Sequence, residues 1–169
     1  MNLYLGYTSN KPMFERILLA SHGTQGAIAA ENMAVQICAR QATINHLIVV
    51  PEFWQGMTGD DWLNNGVTRD QFREYLQSEL GREVDQQCDR LNQKITAHGL
   101  TCNSIILFGK PDEALLHHTK AYAYDLLVMG SPRPGGIPGL RGLRSGMLTK
   151  KLTQAIPTTL LIVPYPSDE

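Results

Sequence analysis

The feature that most constrains this chain is the recurrence of short, uniformly apolar runs separated by longer segments of helical period. Ile17-Leu18-Leu19-Ala20 closes the segment 14–20, Leu47-Ile48-Val49-Val50 fills 45–51, and Ile105-Ile106-Leu107-Phe108 ends 101–108. Leu126-Leu127-Val128-Met129 fills 125–129, and Leu160-Leu161-Ile162-Val163 ends 159–163. Each run is short for a helix and lacks the alternation of a half-solvated strand, so each reads as a strand covered on both faces, the condition found in parallel sheets. The third run alternates more at its start, which suits a sheet edge. Helical patterns stand between the runs. The alternation predicts a single α/β domain: a doubly wound, five-stranded parallel sheet with helices on both faces. With the first strand central, the winding reverses between strands one and four, and their carboxyl ends should frame a ligand crevice.

The helices carry their own signals. Residues 27–40 place Ile28, Ala30, Ala34, Ile37 and Cys38 near one face, with Glu31 toward the positive amino end. Residues 70–97 hold the cleanest period, Phe72, Leu76, Leu80, Val84, Cys88, Leu91 and Ile95, and His98-Gly99 follows as a C-terminal stop. Gly81 sits inside this pattern at a cost of about 1 kcal/mol relative to alanine. Pro111, Asp112 and Glu113 mark the first turn of a third helix, whose inner face is Ala114, Leu115, His118 and Ala121 or Tyr122. A short fourth helix is expected over 147–154. Residues 1–12 show no period and read as an N-terminal extension to a domain over 13–166. The stretch 52–69, with Trp54 and Trp62 among Gly, Asp and Asn, reads as an insertion or lid whose tryptophans pack on the domain or a partner subunit, the alternative being that they stack on a base or seal a pocket.

At 169 residues the chain can bury about two thirds of its unfolded surface without disulfide or metal. Its net charge of −1 gives no global case for nucleic acid or a membrane surface, and no apolar run approaches the roughly 18 residues of a span. Cys38, Cys88 and Cys102 form no CxxC pair and read as buried thiols of a reducing compartment, so the expected location is the cytoplasm.

Charge is instead local. From Leu126 to Ser167 there is no Asp or Glu, whereas Arg133, Arg141, Arg144, Lys150 and Lys151 are cationic. Strand four runs into Gly130-Ser131-Pro132-Arg133-Pro134-Gly135-Gly136, and glycines recur at 139, 142 and 146. Glycine permits the backbone conformations in which successive N–H groups converge on an anion, so this loop suits phosphate. A solvated basic loop without a ligand is the alternative.

Four segments in this order resemble the universal stress protein family: Ile17-Leu18-Leu19-Ala20-Ser21-His22-Gly23-Thr24, Gly109-Lys110-Pro111-Asp112-Glu113-Ala114-Leu115-Leu116, Tyr124-Asp125-Leu126-Leu127-Val128-Met129-Gly130 and Pro157-Thr158-Thr159-Leu160-Leu161-Ile162-Val163-Pro164. The resemblance covers Phe14 to Pro164. It implies strand order 3-2-1-4-5 and a homodimer through the last strand, Thr159–Val163. It also implies a regulatory module that binds ATP, ADP or AMP, with Mg²⁺ in the case of ATP, and acts through dimer or partner contacts. ATP-binding members carry Gly-x2-Gly-x9-Gly-Ser/Thr after strand four. Here Gly130 matches the first glycine, Arg133 occupies the usual second position, and Gly136 is separated from Gly146 by nine intervening residues. Met147 takes the place of the family's hydroxyl, which Ser145 or Thr149 can supply, and His22 stands where the family usually has Asp. Carried over residue by residue, the nucleotide site comprises Ser21, His22, Val49, Met129, Gly130, Arg133, Gly136, Gly146, Leu148 and Thr149.

No catalytic or metal-binding constellation is expected. His117 and His118 are adjacent on a helix and point apart, while Ser21-His22 lacks an acid to orient a proton transfer. A chelatase-type enzyme also has Ser-His-Gly after its first strand, but it needs a second His across the crevice that this sequence does not show. The remaining alternative is a family member that binds no nucleotide and serves as a protein-interaction dimer.

Overall fold

A computed structural model describes residues 14–21, 24–50, 66–131 and 150–166, and within these all side chains except those of 66–77, 80 and 151. The elements are β1 (Arg16–Ala20), α1 (Gln25–Ile37), β2 (Thr43–Val50), α2 (Gly66–Ala97), β3 (Thr101–Phe108), α3 (Pro111–Ala121), β4 (Leu126–Gly130), α4 (Lys150–Ala155) and β5 (Leu160–Val163). All strand pairs are parallel, in the order β3-β2-β1-β4-β5. Expected fold class, strand order and edge position of β3 are thus met.

The apolar runs of β1, β2 and β4 lie in the middle of the sheet for the reason given by their composition. Ile17, Leu19, Ile44, Leu126 and Val128 face one side and pack with Ala30 and Ala34 of α1 and Leu91 and Ile95 of α2. Leu18, Ala20, Leu47, Val49, Leu127 and Met129 face the other side, under Leu115 of α3 and Leu152 of α4. Neighbouring residues of one strand therefore enter two separate cores, and neither face tolerates a polar alternation. β3 shows the contrast: it has a neighbour on one side only, and Phe108 at its end is 67% exposed.

Several boundaries differ from expectation. Helix α2 begins at Gly66, so its first four residues fall within the expected insertion 52–69; a first turn needs no apolar position and leaves no periodic mark. Helix α1 starts at Gln25 and stops at Ile37, short of Arg40, because Cys38 is already extended (φ −74°, ψ 154°). The chain then turns through Gln41 at φ 70°, and β2 begins two residues before Asn45. Glu31 lies beyond the first turn of α1 and is fully buried, so it does not serve the helix dipole. The three cysteines are free but only half-buried, and Cys38 and Cys102 sit at the margin of the first core. Gly99, at φ 72°, ends α2 in the left-handed region as its position predicted. The N-terminal extension, Trp54, Trp62 and the glycine loop from Pro132 to Thr149 lie outside the described residues, as do the side chains of Phe72, Leu76 and Leu80.

Candidate functional site

The winding reverses between β1 and β4, as the sequence indicated, and the site is built where these two strands end. Helix α1 starts there. Thr24 caps it: its backbone is extended, and its Oγ1 accepts a hydrogen bond from the Ala27 N–H at 3.3 Å. The first turn contains no acid, leaving the positive end of the helix dipole uncompensated by a side chain of that turn. The helix end lies against the end of β4 because both contact residues are glycines. A Cβ on Gly130 would stand 2.3 Å from the Gly26 carbonyl oxygen, and one on Gly26 would stand 3.0 Å from the Ser131 carbonyl oxygen. At Gly130 no other residue allows this approach of backbone to backbone, whereas a Cβ at Gly26 would need its neighbours to give by a few tenths of an ångström. Ser131 is in turn held by its N–H to the Val163 carbonyl at 2.8 Å, and Tyr165 folds back so that its hydroxyl donates to Gln25 Oε1 at 3.0 Å.

Of the expected site residues, Ser21, Val49, Met129 and Gly130 are described. Met129 pairs in register with Ala20, and Ala20 with Leu47, two residues before Val49 on the same face of β2. Val49, Ala20 and Met129 therefore form one apolar patch on the α3/α4 side, continuous with the core beneath. Gly130 ends β4 and Ser21 directly follows the last residue of β1. Expected residues His22, Arg133, Gly136, Gly146, Leu148 and Thr149 lie outside the described residues.

Ser21 is engaged on every side. Its N–H donates to the Leu47 carbonyl at 3.3 Å and its Oγ donates to Glu31 Oε1 at 2.6 Å. Its carbonyl lies 3.3 Å from His46 Nε2. Because a carbonyl only accepts, His46 carries its proton on Nε2, and Nδ1 is a bare acceptor without a partner among the described residues. Burial pulls the His46 pKa below its ordinary value, which keeps the ring neutral. Glu31, itself fully buried, receives a two-pronged bond from Arg90 of α2, Nη1 to Oε2 at 2.9 Å and Nη2 to Oε1 at 2.8 Å. Lys94, one turn on, lies 4.0 Å from Oε2 and also bonds Asn32 Oδ1.

Sequence reasoning missed this cluster, although it left signals. Glu31 falls between Ala27, Ala30 and Ala34 on the apolar face of α1, and His46 directly precedes the apolar run of β2. An ionisable residue inside a core pattern implies a partner. Arg90 left no such signal, being one of several charges on the outer part of α2.

The other buried histidine is remote from the crevice. His118 lies near the end of α3, its Nε2 2.8 Å from the Tyr124 hydroxyl, at the amino end of the sheet where Arg16 approaches the same tyrosine ring. Among the described residues no group of three or more His, Cys, Asp or Glu is placed to hold a metal.

The sequence model of the universal stress protein family matches residues 13–164. The chain belongs to the universal stress protein family. It is 26% identical over 152 residues to the universal stress protein YxiE of Bacillus subtilis, an alignment covering 89% of this chain and 99% of that protein. Among solved structures the universal stress protein fold recurs in a hypothetical protein designated MJ0577, with a TM-score of 0.68 at 16% identity over 92% of this chain and 99% of that one. A family protein from Arabidopsis thaliana with AMP bound matches at TM-score 0.59 and 15% identity, covering 89% of this chain and 92% of its own. A universal stress protein in complex with cAMP matches at 0.60 and 19% identity, covering 91% and 99%. At these identities the solved structures establish the fold.

Proposed function

We propose that this universal stress protein binds an adenine nucleotide in the crevice between the ends of β1 and β4 and acts as a regulatory module through its dimer or partner contacts. The observation that carries this reading is the glycine contact. Gly26 and Gly130 bring the N–H-bearing end of α1 against the end of β4, where the acid-free, cation-rich segment 131–166 begins. An anion placed there meets helix N–H groups and a positive dipole end. Occurrence of AMP and cAMP in two structures of the same fold supports adenine as the base.

In this reading Val49 and Met129 offer an apolar surface to the base. Main chain at Gly130, Gly136 and Gly146, with Arg133 and the Thr149 hydroxyl, holds phosphate, while Leu148 packs beside the ligand. Ser21 contributes position rather than a free hydroxyl, since its Oγ is given to Glu31, and His22 hydrogen-bonds the ribose or phosphate. Mg²⁺ accompanies ATP alone. No residue is assigned a catalytic step. β5 is the edge strand opposite β3, with Ile162 38% exposed, and is assigned to the homodimer contact. Among the described residues no helix is long and apolar enough to cross a membrane, and the cytoplasm is the assigned location.

Calorimetric titration with ATP, ADP, AMP and cAMP, with and without Mg²⁺, tests the proposal, with Gly136→Val and Arg133→Ala as variants. A charge-assisted phosphate contact contributes about 1.5–3 kcal/mol, so Arg133→Ala should weaken binding roughly 10- to 150-fold. Failure of all four nucleotides to bind at millimolar concentration leaves the interaction dimer without nucleotide as the function.

A further inference from the structure

The buried polar cluster beneath the crevice has no part in holding a nucleotide directly, yet it ends on the residue from which the chain leaves β1. Glu31 stands at its centre, fully buried on the apolar face of α1, and distributes its two oxygens between Ser21 and Arg90. Its arrangement is specific: Oε1 accepts from both the serine hydroxyl and one guanidinium nitrogen, while Oε2 takes the other nitrogen. His46 fixes the serine from a third element, donating to its carbonyl. Main chain at Ser21 is thereby bound to β2 through both its N–H and its carbonyl, and through its side chain to α1 and then α2. Arg90 is the one member with substantial exposure, its side chain 43% accessible on α2.

We infer that Glu31 is a positioning residue for the end of β1, and that Arg90 makes α2 part of the same support, so that displacement of α2 is felt at Ser21 and occupancy of the crevice is felt at α2. A buried carboxylate imposes this connection. With Arg90 withdrawn it must find another cation, reorient, or take up a proton, and in each case Oε1 no longer meets the serine in the same geometry. A planar two-pronged bond also fixes direction, which an ammonium cannot do. Linkage requires reciprocity: if freeing Arg90 weakens a ligand at the crevice, the ligand must in turn tighten the Arg90 contact.

The reading of nucleotide binding is needed only for the affinity arm of the test. In the full-length chain, exchange of the Ser21 amide, which is bonded to Leu47, and of the amides of residues 84–95 is followed by NMR for wild type, Arg90→Met, Arg90→Lys, Glu31→Gln and Leu115→Ala. AMP is titrated into each. Leu115 is a fully buried core residue of the opposite face and lowers global stability without touching the cluster. Local openings exchange below the global unfolding free energy, so general destabilisation leaves Ser21 exchange unchanged while loss of its support does not. Arg90→Met should accelerate exchange at Ser21 about tenfold or more and weaken AMP about tenfold. Arg90→Lys should fall between it and wild type, Glu31→Gln should match Arg90→Met, and Leu115→Ala should do neither. AMP should slow exchange over residues 84–95 in wild type and not in Arg90→Met. If Arg90→Met does not fold, Arg90→Lys and Glu31→Gln decide the same point. Unchanged Ser21 exchange in these variants, or equal acceleration in Leu115→Ala, overturns the inference even where AMP binds. Accelerated exchange in a protein that binds none of ATP, ADP, AMP and cAMP sustains the positioning role and overturns nucleotide binding.

Discussion

Gly130→Ala measures how closely β4 and α1 are joined at the site. The added Cβ would stand 2.3 Å from the Gly26 carbonyl oxygen, 2.4 Å from its carbon and 2.9 Å from the Ala27 nitrogen. All three are main-chain atoms, so no side-chain rotation relieves the overlap. An ordinary carbon–oxygen contact is about 3.4 Å, and helix α1 or the end of β4 must therefore move by about 1 Å. Two restraints oppose that movement: Ser131 is bonded to Val163 at 2.8 Å, and Ser21, directly after β1, is tied to Glu31 of α1. Overpacking a rigid site costs about 1–3 kcal/mol, and the absence of a flexible neighbour puts this variant near the upper value. For a chain of this size that lowers Tm by roughly 6–12 °C. Urea unfolding followed by far-UV circular dichroism gives the free energy, and calorimetry with AMP gives the effect on the site, where loss of affinity is expected. A variant within about 0.5 kcal/mol of wild type would show that helix and strand part easily, and the reasoning from backbone contact would be refuted.

Gly81→Ala should act in the opposite direction: nothing lies within 4 Å of the added methyl and the backbone there is helical, so stability should rise by about 1 kcal/mol in the same urea assay. Acidification should destabilise the protein. Burial lowers the pKa of both His46 and His118 below 6.5, so the unfolded chain binds more protons between the folded value and 6.5; their contribution is complete above pH 6.5 and is lost as pH falls toward the folded values. His46→Gln and His118→Gln should each remove part of the resulting slope in urea midpoint against pH. Cys102, whose thiol is pushed up to about 11 chiefly by burial, should react with iodoacetamide at pH 8 about a hundredfold more slowly than an ordinary cysteine, as peptide mapping of the alkylated protein would reveal.

Much of the fold was legible because its signals are local. The apolar runs, the stripe through Leu91 and Ile95 and the stop at Gly99 each state a period or a backbone requirement within a few residues. Boundaries were less legible where a different interaction decides them. Cys38 ends α1 while Arg40 still fits the period, and Gly66 begins α2 before any apolar residue marks it.

The candidate site divides in the same way. Gly130, Val49 and Met129 could be placed from the sequence, since Val49 and Met129 lie within, and Gly130 directly follows, an apolar run whose position in the sheet was fixed by alternation and by family resemblance. What their neighbours do could not. Ser21 was expected to face a ligand, but its hydroxyl turns to Glu31, ten residues later, and Glu31 to Arg90, a further fifty-nine away. Sequence alone determined a doubly wound sheet, the place of its crevice and an acid-free segment beside it, because periodicity, glycine and charge act over a few residues. Tertiary structure alone decided that a carboxylate, a guanidinium and an imidazole meet beneath that crevice, because their meeting depends on which helix covers which face and at what height. No local pattern records that distance.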